Sequence, residues 1–265
     1  MAKLNLRNIK EKLNMKTSKI FFNSSEKMNK IQSNSVRLMV TSPPYWDLKD
    51  YEADNQIGFK ENYDTYIKRL NSVWKETARV VQDDGVIIIN INTKSDKKSL
   101  KLLPFDFIKQ MEVLNFYLMD VHYWHKSSAI PQLRNFGDHF EYFLIFARNK
   151  KFLRNKVDFF DYKCKESSQT NIWNINKKFG SIGKKYMVHP AVFPLEYIKR
   201  LIKIFSNEGD TVLDPFLGSG TSLIAAIQLE RKFYGFELNN SEYKKIIYDQ
   251  LNEFKLDNNQ VEFCE

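Results

Sequence analysis

Thr211-Val212-Leu213-Asp214-Pro215-Phe216-Leu217-Gly218-Ser219-Gly220-Thr221 reads as a short strand, an acidic strand end, a glycine turn and the start of a helix. Gly218 and Gly220 let the backbone turn tightly and approach a ligand without a Cβ clash. Ser219 or Thr221 is placed to cap the helix that follows. Glu237 stands twenty-three residues after Asp214, at the end of the next apolar run, Phe233–Phe236. An acidic residue about 20 positions on is where open α/β sheets hold ribose hydroxyls. The loop lacks the full G-x-G-x-x-G spacing and the lysine of a P-loop. A cofactor with a ribose but no phosphate therefore fits it, and S-adenosylmethionine is such a molecule.

Working outward, seven apolar runs are predicted as strands: Lys19–Phe22, Val36–Val40, Val86–Ile91, Phe116–Trp124, Phe140–Ala147, Thr211–Leu213 and Phe233–Phe236. Several are continuous rather than alternating, as in a sheet covered on both faces. Tyr63, Tyr66, Ile67, Leu70, Trp74, Ala78 and Val81 recur at helical spacing, with Asn62 as cap and Asp83-Asp84-Gly85 as stop. Pro194–Phe205, Ser219–Glu230 and Ser241–Phe254 read as further helices. Trp46 and Trp74 read as core. Strands alternating with helices predict an open, mostly parallel α/β sheet.

The second informative stretch is Thr41-Ser42-Pro43-Pro44-Tyr45-Trp46, directly after the run Val36–Val40. Two prolines fix φ and remove two N–H donors. What remains is a stiff ledge offering backbone carbonyls, the Ser42 hydroxyl and the Tyr45 ring. An exocyclic amine on a base ring is a poor nucleophile because its lone pair is delocalised. Accepting both its N–H bonds, with Pro43 C=O and Ser42 as acceptors, draws the nitrogen toward tetrahedral geometry and frees that pair. Such preorganisation needs no covalent intermediate. Tyr45 is expected to stack on the base.

The 265-residue chain has a formal charge of +9, unevenly placed. Residues 148–188 hold eleven Lys or Arg against Asp158, Asp161 and Glu166, and residues 1–20 hold six basic groups against Glu11. Such a surface attracts a polyanion by Coulomb forces and counterion release. Residues 148–188 also break the strand–helix rhythm, with Gly180 and Gly183 among polar residues, and are read as an insertion. No apolar stretch approaches the roughly 20 residues of a membrane span, and no signal segment follows the N-terminal lysines, so a cytoplasmic protein is expected. Cys164 and Cys264 show no metal-ligand spacing and neither suits a ring-carbon nucleophile, which disfavours C5 methylation of cytosine. No metal is expected.

On these residues the sequence resembles the DNA amino-methyltransferases of bacterial restriction–modification systems, in the β group, whose catalytic motif precedes the cofactor motif. Thr41–Trp46 is similar to the catalytic motif, Val212–Ser222 to the F-x-G-x-G motif and Phe233–Asn239 to the ribose-binding strand end. The resemblance implies a Rossmann-like fold for S-adenosylmethionine-dependent methyltransferases: seven mostly parallel strands, circularly permuted motif order and an inserted target-recognition region. It divides the chain into a basic segment 1–17, a catalytic half 18–147, a recognition insertion 148–188 and a cofactor half 189–265. It implies catalytic roles for Ser42, Pro43, Pro44 and Tyr45. It implies cofactor contacts for Asn23, Thr41, Pro190, Phe193, Asp214, Pro215, Phe216, Gly218, Ser219, Gly220, Thr221 and Glu237, although the family usually has Asp where Asn23 stands. His189–Pro194 resembles the segment that seats the methionine end. Duplex DNA is the implied partner, with a cognate restriction endonuclease acting separately.

In the family, Ser at position 42 usually accompanies cytosine N4 and Asp accompanies adenine N6, so N4 of cytosine is the expected target. Adenine N6 is the alternative on the same scaffold; an RNA or protein methyltransferase and a silent DNA-binding subunit are more distant ones. Arg134, Trp173, Lys177 and Lys178 are the candidate DNA contacts, and the loop from His125 through Asp138 is a candidate cover for a flipped base.

Overall fold

The computed structural model describes residues 18–51, 53–96, 99–126, 139–155, 160–161, 166–167, 170–175 and 194–264. In chain order the elements are β1 (Ser18–Phe21), β2 (Val36–Thr41), α1 (Tyr63–Val80), β3 (Val81–Ile91), β4 (Lys94–Ser95), β5 (Leu100–Lys101), α2 (Leu103–Val113), β6 (Tyr117–His125) and β7 (Phe140–Ala147). They continue with β8 (Phe160–Asp161), β9 (Glu166–Ser167), β10 (Ile172–Trp173), α3 (Leu195–Phe205), β11 (Thr211–Asp214), α4 (Thr221–Gln228), β12 (Lys232–Phe236), α5 (Asn240–Glu253) and β13 (Val261–Cys264).

The main sheet has nine strands in the order β10-β6-β7-β3-β2-β11-β12-β1-β13. Its inner seven are the seven strands predicted from the sequence; β10 and β13 extend the two edges. All neighbouring pairs are parallel except β3–β7 and β6–β7. Apolar side chains of β2 and β3 alternate between two cores. Leu38, Val40, Val86 and Ile88 pack toward α3, α4 and α5, while Met39, Ile87 and Ile89 pack toward α1 and α2. Burial on both faces is why these runs are apolar throughout.

Helix α1 begins where its sequence says it should, with Asn62 Oδ1 accepting from Thr65 N at 2.8 Å. Its end differs from expectation. The helix passes directly into β3 at Val81, and Asp83-Asp84-Gly85 lies inside that strand, at a break in the β2–β3 register. A Cβ on Gly85 would come within 2.9 Å of Arg37 O, so the irregularity needs glycine there.

Trp173, a candidate DNA contact on sequence grounds, is a core residue instead. It lies on β10 with 1% exposure, and its ring centroid is 4.0 Å from that of His122. His122 fixes the segment by reaching Thr170 O at 2.9 Å through Nε2 and Tyr197 Oη at 2.8 Å through Nδ1. Trp74 is fully buried as expected. Trp46 is only half-buried: it adopts φ 52° and donates Nε1–H to Glu61 O at 2.9 Å. Among the described residues no helix is long and apolar enough to cross a membrane.

Candidate active site

Adjacent parallel strands bring the two motif loops together. Val212 pairs with Leu38 and Leu213 with Met39, so β2 and β11 end side by side. Thr41 Oγ1 donates to Asp214 Oδ1 at 2.6 Å across 173 positions of sequence. The same carboxylate accepts from Phe216 N at 3.0 Å, and its Oδ2 accepts from Ser222 Oγ at 2.6 Å. Burial raises the Asp214 pKa, and the hydrogen bonds from Ser222, Thr41 and Phe216 N oppose that rise. Asp214 therefore clamps the loops, and Thr41 acts behind the pocket wall rather than on its surface.

Between the loops lies a cavity of about 530 Å³, within the range of small-molecule sites. Ser42, Pro43, Pro44 and Tyr45 line one part; Asp214, Pro215, Phe216, Gly218, Ser219, Thr221 and Glu237 line another, with Asn23 at the margin. Gly220 stands at the head of α4 with φ 92°, 3.2 Å from an Ile247 side-chain carbon for any added Cβ. It shapes the turn rather than the wall. Gln250 Nε2 donates to Ser219 O and holds the loop from α5.

Glu237 directly follows β12 and faces the glycine loop. Its carboxylate accepts from Gly218 N at 2.8 Å and from Asn239 N at 3.1 Å. Burial pushes its pKa up to about 7 against those hydrogen bonds, with the nearby Asp214 adding to the rise. Thr221 Oγ1 is buried without a hydrogen-bond partner among the described residues. An acceptor for a diol, an unsatisfied hydroxyl, apolar walls, the buried Asp214 carboxyl and the half-buried Glu237 carboxyl suit S-adenosylmethionine, which carries ribose hydroxyls, an apolar adenine and positive charge.

The ledge is braced from below. Tyr66 Oη donates to Pro44 O at 2.7 Å, and burial raises the Tyr66 pKa well above its ordinary value. Gly58 has φ 96° and lies against Trp46; a Cβ there would meet Trp46 O at 2.9 Å. Asn90, Trp124 and Glu141 are among the pocket-wall residues that escaped the motif reading as site residues. A polar Asn90 inside the run Val86–Ile91 was the available signal. Lys126, from the loop proposed to cover the base, also lines the pocket. Cys264 lies on edge strand β13 beside β1. Arg134, Lys177, Lys178, Pro190, Phe193 and Cys164 lie outside the described residues.

Residues 36–249 match the DNA methylase family of the N6/N4 type. The chain is 30% identical to the type II methyltransferase M.Cfr9I of Citrobacter freundii, covering 84% of each. It is 32% identical to M.MjaI of Methanocaldococcus jannaschii, covering 88% of this chain and 90% of that one. In fold it resembles a putative DNA modification methylase from Thermus thermophilus solved with S-adenosyl-L-methionine, with TM-score 0.71 and 24% identity over 94% of this chain and all of that one. It also resembles the PvuII DNA methyltransferase (cytosine-N4-specific), with TM-score 0.68 and 18% identity over 94% of this chain and 95% of that one. With a proline ledge and a sulfonium-sized pocket at the ends of adjoining strands, and this kinship over most of its length, the chain belongs to the S-adenosylmethionine-dependent DNA amino-methyltransferases of restriction–modification systems.

Proposed function

We propose that the chain methylates the exocyclic N4 amine of cytosine at a specific site in duplex DNA. The observation carrying this reading is a neutral Ser42 at the head of the ledge, where the adenine-directed members usually have Asp, with the cofactor loop directly beside it. A serine hydroxyl can donate to cytosine N3 while the Pro43 carbonyl accepts a hydrogen bond from the N4 amine. The cytosine-N4-specific PvuII enzyme among the structural relatives supports the same choice.

In the proposed course the target base leaves the stack, at a cost of a few kcal/mol, and lies on Tyr45, which returns roughly 1–3 kcal/mol of stacking. Ser42 and Pro43 orient the amine. Bound S-adenosylmethionine supplies an electrophilic methyl group. With the cofactor bound, Glu237 would accept from its ribose hydroxyls, and Thr221, Asn23, Pro215 and Phe216 would line its site. Pro190 and Phe193 are assigned to the methionine end by resemblance alone. Residues 148–188, with Lys177 and Lys178, are assigned to target recognition, and Arg134 to a phosphate or guanine edge. The reaction is assigned to cytoplasmic DNA.

Ser42→Ala and Tyr45→Ala should each lower single-turnover methyl transfer by about 100-fold or more, while cofactor affinity is preserved. Lost cofactor binding with an undiminished transfer rate would overturn these roles.

A further inference from the structure

Tyr45 enters the pocket from the loop after β2, yet its hydroxyl is held from elsewhere in the sheet. It lies 3.1 Å from Asn90 Oδ1 on β3 and 3.0 Å from Glu141 Oε2 on β7. Both acceptors are themselves fixed. Asn90 donates Nδ2–H to Tyr142 O at 3.1 Å, which leaves Oδ1 turned to the tyrosine. The other Glu141 oxygen accepts from Lys126 Nζ at 2.8 Å, and the Glu141 side chain is only 13% exposed. Buried polar groups of this kind need their partners. One phenol O–H therefore faces two immobilised acceptors on neighbouring strands, and the side chain cannot swing away from this position without breaking with both.

We infer that Glu141 is a positioning residue for the methyl acceptor: with Asn90 and Lys126 it anchors the far end of the Tyr45 side chain and so holds the ring in place beneath the flipped base. The inference rests on the reading of Ser42–Tyr45 as the acceptor loop. Glu141 acts through the Tyr45 hydroxyl, and the position of the ring sets the position of the base. Displacement of a reacting nitrogen by about 1 Å costs on the order of 100-fold in rate.

The test is a double-mutant cycle in the full-length protein. Single-turnover transfer is measured at saturating S-adenosylmethionine and DNA, with cofactor affinity and melting temperature alongside. Glu141→Leu and Tyr45→Phe should each slow transfer by about 10- to 100-fold, with cofactor affinity held within about twofold. Glu141→Leu should cause no further loss in the Tyr45→Phe background, because both substitutions remove one connection. Glu141→Gln keeps an acceptor for Tyr45 while Lys126 swings aside, and should stay within about threefold of the unaltered protein. If Glu141→Leu does not fold, Glu141→Gln against Tyr45→Phe carries the comparison. An equal loss from Glu141→Leu in both backgrounds, or a Glu141→Gln protein as slow as Tyr45→Phe, would overturn the inference. Active starting protein with unaffected variants would overturn it alone. Cofactor binding without any methyl transfer to DNA would overturn the functional reading as well.

Discussion

A single carboxyl, Glu237, carries a measurable consequence. In the free protein its pKa is pushed up to about 7, chiefly by burial. Ribose hydroxyls donate to the ionised form, so cofactor binding favours loss of the proton. Affinity should be nearly constant above pH 8 and weaken as pH falls through 7, by about tenfold between pH 8 and pH 6. Isothermal titration across that range checks it, and Glu237→Gln should flatten the dependence. The sign reverses for folding: a raised carboxyl pKa makes the folded state lose stability as pH rises from about 4.5 to 7. Thr41→Val tests the second residue-scale claim. Removing one donor from the buried Asp214 carboxylate should cost about 2 kcal/mol in urea unfolding. At this scale the pocket-wall residues Ser42–Tyr45, Gly218, Thr221 and Glu237 were legible in the sequence, because their residue types have few other uses at strand ends. The structural tasks of Thr41 and Asp214 were not, because what a side chain touches depends on a neighbour 173 positions away.

Elements obey local rules where the local signal is strong. The Asn62 cap on α1 should be worth about 1 kcal/mol, lost in Asn62→Ala and seen in its melting temperature. The anchoring of β10 has its own pH signature. Burial pulls the His122 pKa down to about 4. The neutral ring is therefore favoured in the folded state, and stability should fall as pH drops from about 6.5 to 4, by about 3 kcal/mol in all. Acid unfolding of His122→Gln should be shallower over that window. The sequence reading missed α2, although Leu103, Phe107 and Met111 recur at helical spacing and are buried. Its N-cap Leu102 offers no side-chain hydrogen bond, and Pro104 sits in the first turn where a breaker and a helix start look alike. It also missed β10 and β13. Strand β10 has only two residues and β13 is interrupted by the charged Glu262, and both exist because β6 and β1 offer edges to pair with.

At the scale of the whole molecule, the permuted motif order has a simple topological meaning. Thr41 and Asp214 are far apart in the chain because β2 and β11, neighbours at the centre of the sheet, belong to different halves of it. The seven inner strands were legible because each is buried on one or both faces and must be apolar. The segment 148–188, proposed for target recognition, is visible in the sequence as clustered charge and a break in the strand–helix rhythm, and charge specifies attraction to a polyanion without specifying which bases are read. DNA affinity should accordingly fall steeply with salt, by roughly a thousandfold between 50 and 200 mM for six or more phosphate contacts. Replacing Lys177 and Lys178 together should reduce the slope of log affinity against log salt by about 2. The most direct measurement is to incubate the purified chain with methyl-labelled S-adenosylmethionine and unmodified genomic DNA, digest the product to nucleosides and identify the labelled one. The account predicts label in N4-methylcytosine; label in N6-methyladenine, in 5-methylcytosine or in no nucleoside would contradict it.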